Sequence, residues 1–137
     1  MPKKGVVAAA VALALGLRAV AVEAQSLPGG ALPTGGNVAG GQASISQSGA
    51  AMRIDQASAR AAIDWQSFNI GAQASVTFSQ PSASAIALNR VLGASGSEIL
   101  GRLSANGQVF LVNPNGILFG RGAQVDAGGL LDRKSVV

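Results

Sequence analysis

Polar and apolar residues trade places along the middle of this chain with a period of two. The clearest run is Ala74 to Ser79, where Ala74, Val76 and Phe78 alternate with Ser75, Thr77 and Ser79. Alternation of that kind puts one set of side chains on each face of an extended backbone, so it predicts a half-buried β-strand. Shorter versions recur at Ala43–Ser46, where Ala43 and Ile45 are the apolar set, and at Met52–Asp55, where Met52 and Ile54 are. Ile86 and Leu88 alternate in a further strand that runs up to Asn89-Arg90, and Ile99, Leu100 and Leu103 resume the pattern. Between these runs lie turn signals at Gln47-Ser48-Gly49, Pro81–Ser84 and Gly93–Ser97. Gln56–Ala62 has helix-favouring residues and predicts a helical turn. Ile63–Gly71 contains the only tryptophan, and Trp65 with Phe68 predicts an aromatic plug at one end of the core.

The stretch that organises the chain is Ala105–Gly120, which reads as strand, tight turn, strand. Gln108–Val112 places Val109 and Leu111 on one face and Phe110 and Val112 on the other. Asn113-Pro114-Asn115-Gly116 then turns the chain. Pro114 sets φ for the first central position and keeps Asn113 extended, while Asn115-Gly116 tolerates left-handed backbone. Ile117-Leu118-Phe119 leaves as a second short strand, and Val125 and Leu130-Leu131 mark a last rung. A strand that is apolar on both faces needs neighbours on each side. The expected core is Trp65, Phe68, Val76, Phe78, Ile86, Leu88, Val109 and Leu111.

Spacing offers two architectures. Val76 and Ile99 are 23 positions apart, as are Ile86 and Val109, which suits a β-solenoid whose coils stack their aliphatic interiors. The turn density also suits an antiparallel sandwich. Both remain open on pattern alone.

The ends read differently from the middle. Residues 1–24 have a basic start (Lys3, Lys4), an apolar run from Val6 to Leu17 and a small-residue cleavage site at Val22-Glu23-Ala24. Twelve apolar residues make about 18 Å of helix, short of a ~30 Å hydrocarbon core. The segment is therefore expected to be a secretory signal peptide that sends the chain through the Sec machinery. Residues 25–41, rich in Gly and Pro, predict a linker. Residues 42–131 form the expected β domain, and 132–137 (Asp-Arg-Lys-Ser-Val-Val) an atypical tail.

Composition removes most chemistry. The chain of 137 residues has no Cys, no His and no Tyr, which excludes disulfides, thiolate metal sites and histidine-based catalysis. Its pI near 10.8 suggests nucleic acid, but the basic residues concentrate at the termini. Between residues 25 and 131 five scattered arginines face four acids, which is no counterion-releasing patch, so no nucleic-acid partner is expected. Carboxylates are isolated and no phosphate-binding loop is present, so the sequence reads as non-enzymatic, without cofactor or metal.

Three separated segments carry a family resemblance: Ala62–Gly71 (AIDWQSFNIG), Ser75–Gly93 (SVTFSQPSASAIALNRVLG) and Ile99–Leu131. In that order they closely resemble the amino-terminal secretion domain of filamentous-haemagglutinin-type exoproteins, the substrates of two-partner secretion in Gram-negative bacteria. The resemblance implies an all-β, right-handed parallel β-helix with an amino-terminal cap. It also implies a partner, an outer-membrane β-barrel transporter whose periplasmic domains read the chain in an extended state before it folds at the cell surface. On this resemblance Asn113, Pro114, Asn115, Gly116 and Ile117 match the family's hallmark motif, acting either in transporter recognition or in nucleating the fold. A second family motif, Asn-Pro-Asn-Leu, is absent. A cell-surface adhesin domain that binds host glycan or protein is the alternative function.

Overall fold

The computed structural model describes residues 27–127 and, as a backbone strand, 129–133. The expected signal peptide lies outside the described residues, as do residues 134–137. Twelve strands follow one another with no helix among the described residues. Two antiparallel strands, β1 (Asn37–Gly40) and β2 (Ala43–Ser48), come first. Then the chain winds: β3 (Ala51–Gln56), β4 (Arg60–Trp65), β5 (Ser75–Ser79), β6 (Ile86–Val91), β7 (Ser97–Ile99), β8 (Arg102–Ala105), β9 (Gln108–Val112), β10 (Ile117–Phe119), β11 (Gln124–Asp126) and β12 (Gly129–Arg133).

Pairing shows what the winding builds. One sheet has the order β1-β4-β6-β9-β12 and a second β11-β8-β5-β3-β2. A third pairs β10 with β7 and is extended by a parallel bridge between Ile70 and Ile99. From β3 onward every pair within a sheet is parallel. The molecule is a parallel β-helix of about three coils, wound right-handed as parallel crossovers are. At the amino end β1 lies antiparallel on β4, and β2 antiparallel on β3. Those two strands close the first coil and form the cap.

Inside, alternate residues of facing sheets meet. Ile54, Ile63, Ile70, Val76, Ile99, Leu103 and Val109 are fully buried, with Trp65, Phe68, Phe78 and Leu111 at 1% exposure. Trp65 and Phe68 meet edge to face, ring centres 5.5 Å apart and planes at 81°. They sit in the first coil beneath the cap, with Trp65 at the end of β4.

Four expectations are corrected. Ile86 and Leu88 do not face the core; they are half-buried on the outer face of β6, and Ala87, Asn89 and Val91 point inward. Register explains the inversion: Ala61 pairs with Ala87 and Ala87 with Val109, so inward positions of adjacent coils must coincide. Asn89 is completely buried because it has work there. Its Oδ1 accepts from Trp65 Nε1 at 2.9 Å, and its Nδ2 donates to the Phe110 carbonyl at 3.3 Å. An indole N–H enclosed in a core requires such an acceptor.

The stretch 25–41, expected to be a linker, holds β1, and Leu32 is 8% exposed against the core. The Thr34 amide donates to the Ser67 carbonyl at 3.0 Å, and the Gln66 amide to the Thr34 carbonyl at 2.9 Å. Glycine is needed there for closeness: a Cβ on Gly36 would fall 2.6 Å from the Trp65 ring. Gln56–Ala62 forms no helical turn, because β3 ends and β4 begins within it around a tight corner. The repeat also differs in detail. Val76 stacks on Met52 and Leu103, and Ile86 on Gln108, so neither 23-residue interval marks a true pair.

The inverted face of β6 gives a direct test of register. Leu88→Thr is expected to cost about 1 kcal/mol or less, as at partly exposed positions. Val109→Thr buries an unpartnered hydroxyl and is expected to cost about 1–3 kcal/mol. Urea unfolding of both variants reads the difference; equal costs would contradict the pairing.

Candidate functional site

The motif at Asn113–Ile117 lies where β9 leaves one sheet and β10 enters another. Val109 and Leu111 point inward along β9, and Asn113 is the next inward position. It is completely buried. Two local bonds close the turn: the Asn113 carbonyl accepts from the Gly116 amide at 3.0 Å, and Asn113 Oδ1 accepts from the Asn115 amide at 2.9 Å. Gly116 has φ +105°, a left-handed value that glycine adopts without a Cβ penalty. Pro114 caps the outside, exposed to solvent.

The same corner is fastened to the coil below. Asn113 Nδ2 donates to Ser97 Oγ at 2.9 Å and to the Ser95 carbonyl at 3.1 Å, which uses both of its hydrogens. Asn115 Nδ2 donates to the Gly93 carbonyl at 2.9 Å. The Ser97 amide returns a bond to the Gly116 carbonyl at 2.9 Å, and β10 continues in parallel register with Ile117 opposite Ser97. The Gly93–Ser97 turn is thus the seat of the Asn113–Gly116 turn. Its closeness constrains Gly96, where a Cβ would stand 3.1 Å from the Asn115 carbonyl oxygen and 3.2 Å from that of Gly116. Gly96→Ala is expected to loosen the seat and cost about 1–2 kcal/mol by overpacking, read as a lower urea midpoint with an unchanged slope.

A second polar staple runs up another corner and was not foreseen. Gln80 Nε2 donates to Gln56 Oε1 at 3.1 Å and to the Gln108 carbonyl at 3.0 Å, while its Oε1 accepts from the Gly107 amide at 2.8 Å. Asn106 grips the Gln80 backbone from above, with Oδ1 accepting from its amide and Nδ2 donating to its carbonyl, both at 2.7 Å. Gln56, Gln80 and Asn106 therefore tie three successive coils. The one signal for it in the sequence is Asn106-Gly107, a pair that favours a turn.

These groups bind backbone and side chains of the same chain. Among the described residues no three metal-ligating side chains come together. The ion pairs, Arg90 to Asp64 at 2.7 Å and Arg53 to Asp55 at 2.8 Å, lie on the outside. In the folded chain the bonds of the motif join one coil to the next.

The sequence profile of the TPS secretion domain covers residues 24–131. The chain belongs to that family. A crystal structure of the HMW1 secretion domain from Haemophilus influenzae superposes on it with a TM-score of 0.69 at 36% identity, over 72% of this chain and 26% of that one. Two relatives from Haemophilus influenzae, each described as a Heme/hemopexin-binding protein, are 46% identical over 99 residues and 50% identical over 80. The chain spans only about a tenth of their length, 11% and 9%. A TPS secretion domain is the secretion module of exoproteins that cross the outer membrane of Gram-negative bacteria. Its role is not enzymatic.

Proposed function

We propose that this TPS secretion domain is recognised by an outer-membrane β-barrel transporter through the transporter's periplasmic domains, after export by Sec, and that it then starts β-helix folding at the cell surface. Family membership over residues 24–131 carries the recognition half of this reading. The folding half rests on Asn113, whose amide and carbonyl bonds are all spent within the β-helix. A side chain closed off in that way is available to a partner only before the coil forms. Asn113, Pro114, Asn115, Gly116 and Ile117 therefore act as the joint that seats the third coil on the second, and the transporter reads extended chain.

The composition of this chain does not support haem ligation by its own residues. Axial haem ligands are His, Cys, Met or Tyr, and this chain has none of these except Met1 and Met52, the latter 5% exposed within the core. An adhesin role for these residues would instead show as binding to host glycan or protein by the folded chain alone.

Co-expression tests the reading. The chain is expected outside the cell when a cognate transporter is present and in the periplasm when it is not. Appearance outside in both strains, or in neither, contradicts the proposed partner.

A further inference from the structure

We propose that Asn106 and Asn115 are sites of spontaneous deamidation that stand open in the unfolded chain and are closed by the β-helix. The chain has six asparagines, followed in turn by Val38, Ile70, Arg90, Gly107, Pro114 and Gly116. Deamidation begins when the following backbone nitrogen loses its proton and attacks the side-chain Cγ. The new C–N bond closes a cyclic imide, the old one breaks, and ammonia leaves. Water then opens either imide carbonyl, giving aspartate or an isoaspartate whose main chain is one methylene longer. The net change is amide plus water to carboxylate plus ammonium. Glycine is the most permissive follower, because no Cβ obstructs the attack. Proline blocks it, having no N–H to lose. Within Asn113-Pro114-Asn115-Gly116 the buried Asn113 is thus protected in every state, and Asn115 only in the folded one.

Folding shuts both reactions through the bonds described above. The Gly107 nitrogen is buried and donates to Gln80 Oε1 at 2.8 Å, while both amide atoms of Asn106 are held by the Gln80 backbone. The Gly116 nitrogen donates to the Asn113 carbonyl at 3.0 Å, and the Asn115 amide is held by the Gly93 carbonyl at 2.9 Å. Attack requires each nitrogen to give up its acceptor and each amide to rotate. Once the reaction has happened the corner cannot close in the same way. A carboxylate at 106 or 115 has no hydrogen for the Gln80 or Gly93 carbonyl, and an added methylene shifts β9 or β10 against its neighbour. If the secretion reading holds, the consequence is a limited lifetime for chain waiting unfolded in the periplasm.

The test uses the full chain alone, held in parallel in urea and in refolding buffer at the same mildly alkaline pH, with amide loss mapped at each position by mass spectrometry. In urea, Asn106 and Asn115 are expected to lose their amides at least about tenfold faster than Asn37, Asn69, Asn89 and Asn113. In buffer they are expected to slow at least about tenfold, because reaction then follows the rare open population. Aged urea samples returned to buffer should yield folded molecules that retain both amides. Equal loss in urea and buffer, or loss at 106 and 115 no faster than at 37, overturns the proposal for the site concerned. No transporter enters the assay, so its failure leaves the secretion reading untouched.

Discussion

Trp65→Ala is expected to leave the chain largely unfolded at physiological temperature. An indole buries about 200 Å², which at ~25 cal/mol per Å² is about 5 kcal/mol of transfer free energy. Truncation of such a side chain costs about 3–5 kcal/mol, comparable to the whole stability of a small domain. The position adds a second penalty, since Asn89 Oδ1 would remain in the core without its 2.9 Å donor. Trp65→Phe separates the two contributions: it keeps an aromatic ring against Phe68 and removes the N–H. That variant is expected to lose about 1–3 kcal/mol, the cost of an orphaned buried acceptor. Urea titration followed by far-ultraviolet circular dichroism reads both. Wild-type stability in Trp65→Phe would mean that the Asn89 bond contributes nothing.

Asn113→Ala comes next in expected size. It strips two donors and one acceptor from a site with no exposure, leaving Ser97 Oγ, the Ser95 carbonyl and the Asn115 amide short of partners. A loss of about 3 kcal/mol is expected from these unmet groups. Asn115→Ala removes one bond at an exposed position and is expected to cost about 1 kcal/mol. The ratio matters more than either value. Two asparagines of one motif, two positions apart, should differ because one points into the coil and the other lies over the corner. A double variant with Ser97→Ala should cost less than the sum, since Asn113 and Ser97 share a bond. Additive losses would contradict the seat.

Strand content was legible wherever side-chain size and polarity agreed. Val76 and Phe78 alternate with Ser75 and Thr77, and β5 takes that phase. Val109 and Leu111 face inward on β9 as their neighbours require. β6 misled because Ile86 and Leu88 are more apolar than Ala87 and Asn89, so hydrophobicity chose the wrong face. Stacking in register overrides that preference, and the partner that makes Asn89 acceptable inside is Trp65, 24 positions away. Gln80 was hidden for the same reason, its contacts lying 24 to 28 residues distant. The cap was misread for another. Gly and Pro signal irregular backbone, but Gly36 is there to let the chain lie against Trp65. Of the motif, the turn was readable from Pro114 and Gly116; the seat beneath it was not, because nothing in Gly93–Ser97 names its partner.

One comparison decides between folding and recognition at this corner. Unfolded wild-type and Asn113→Ala chains are each diluted from urea onto the periplasmic domains of the cognate transporter, and affinity and refolding rate are measured on the same samples. Equal affinity with slowed or failed refolding of the variant is the predicted result. Lost affinity with refolding at the wild-type rate would contradict it.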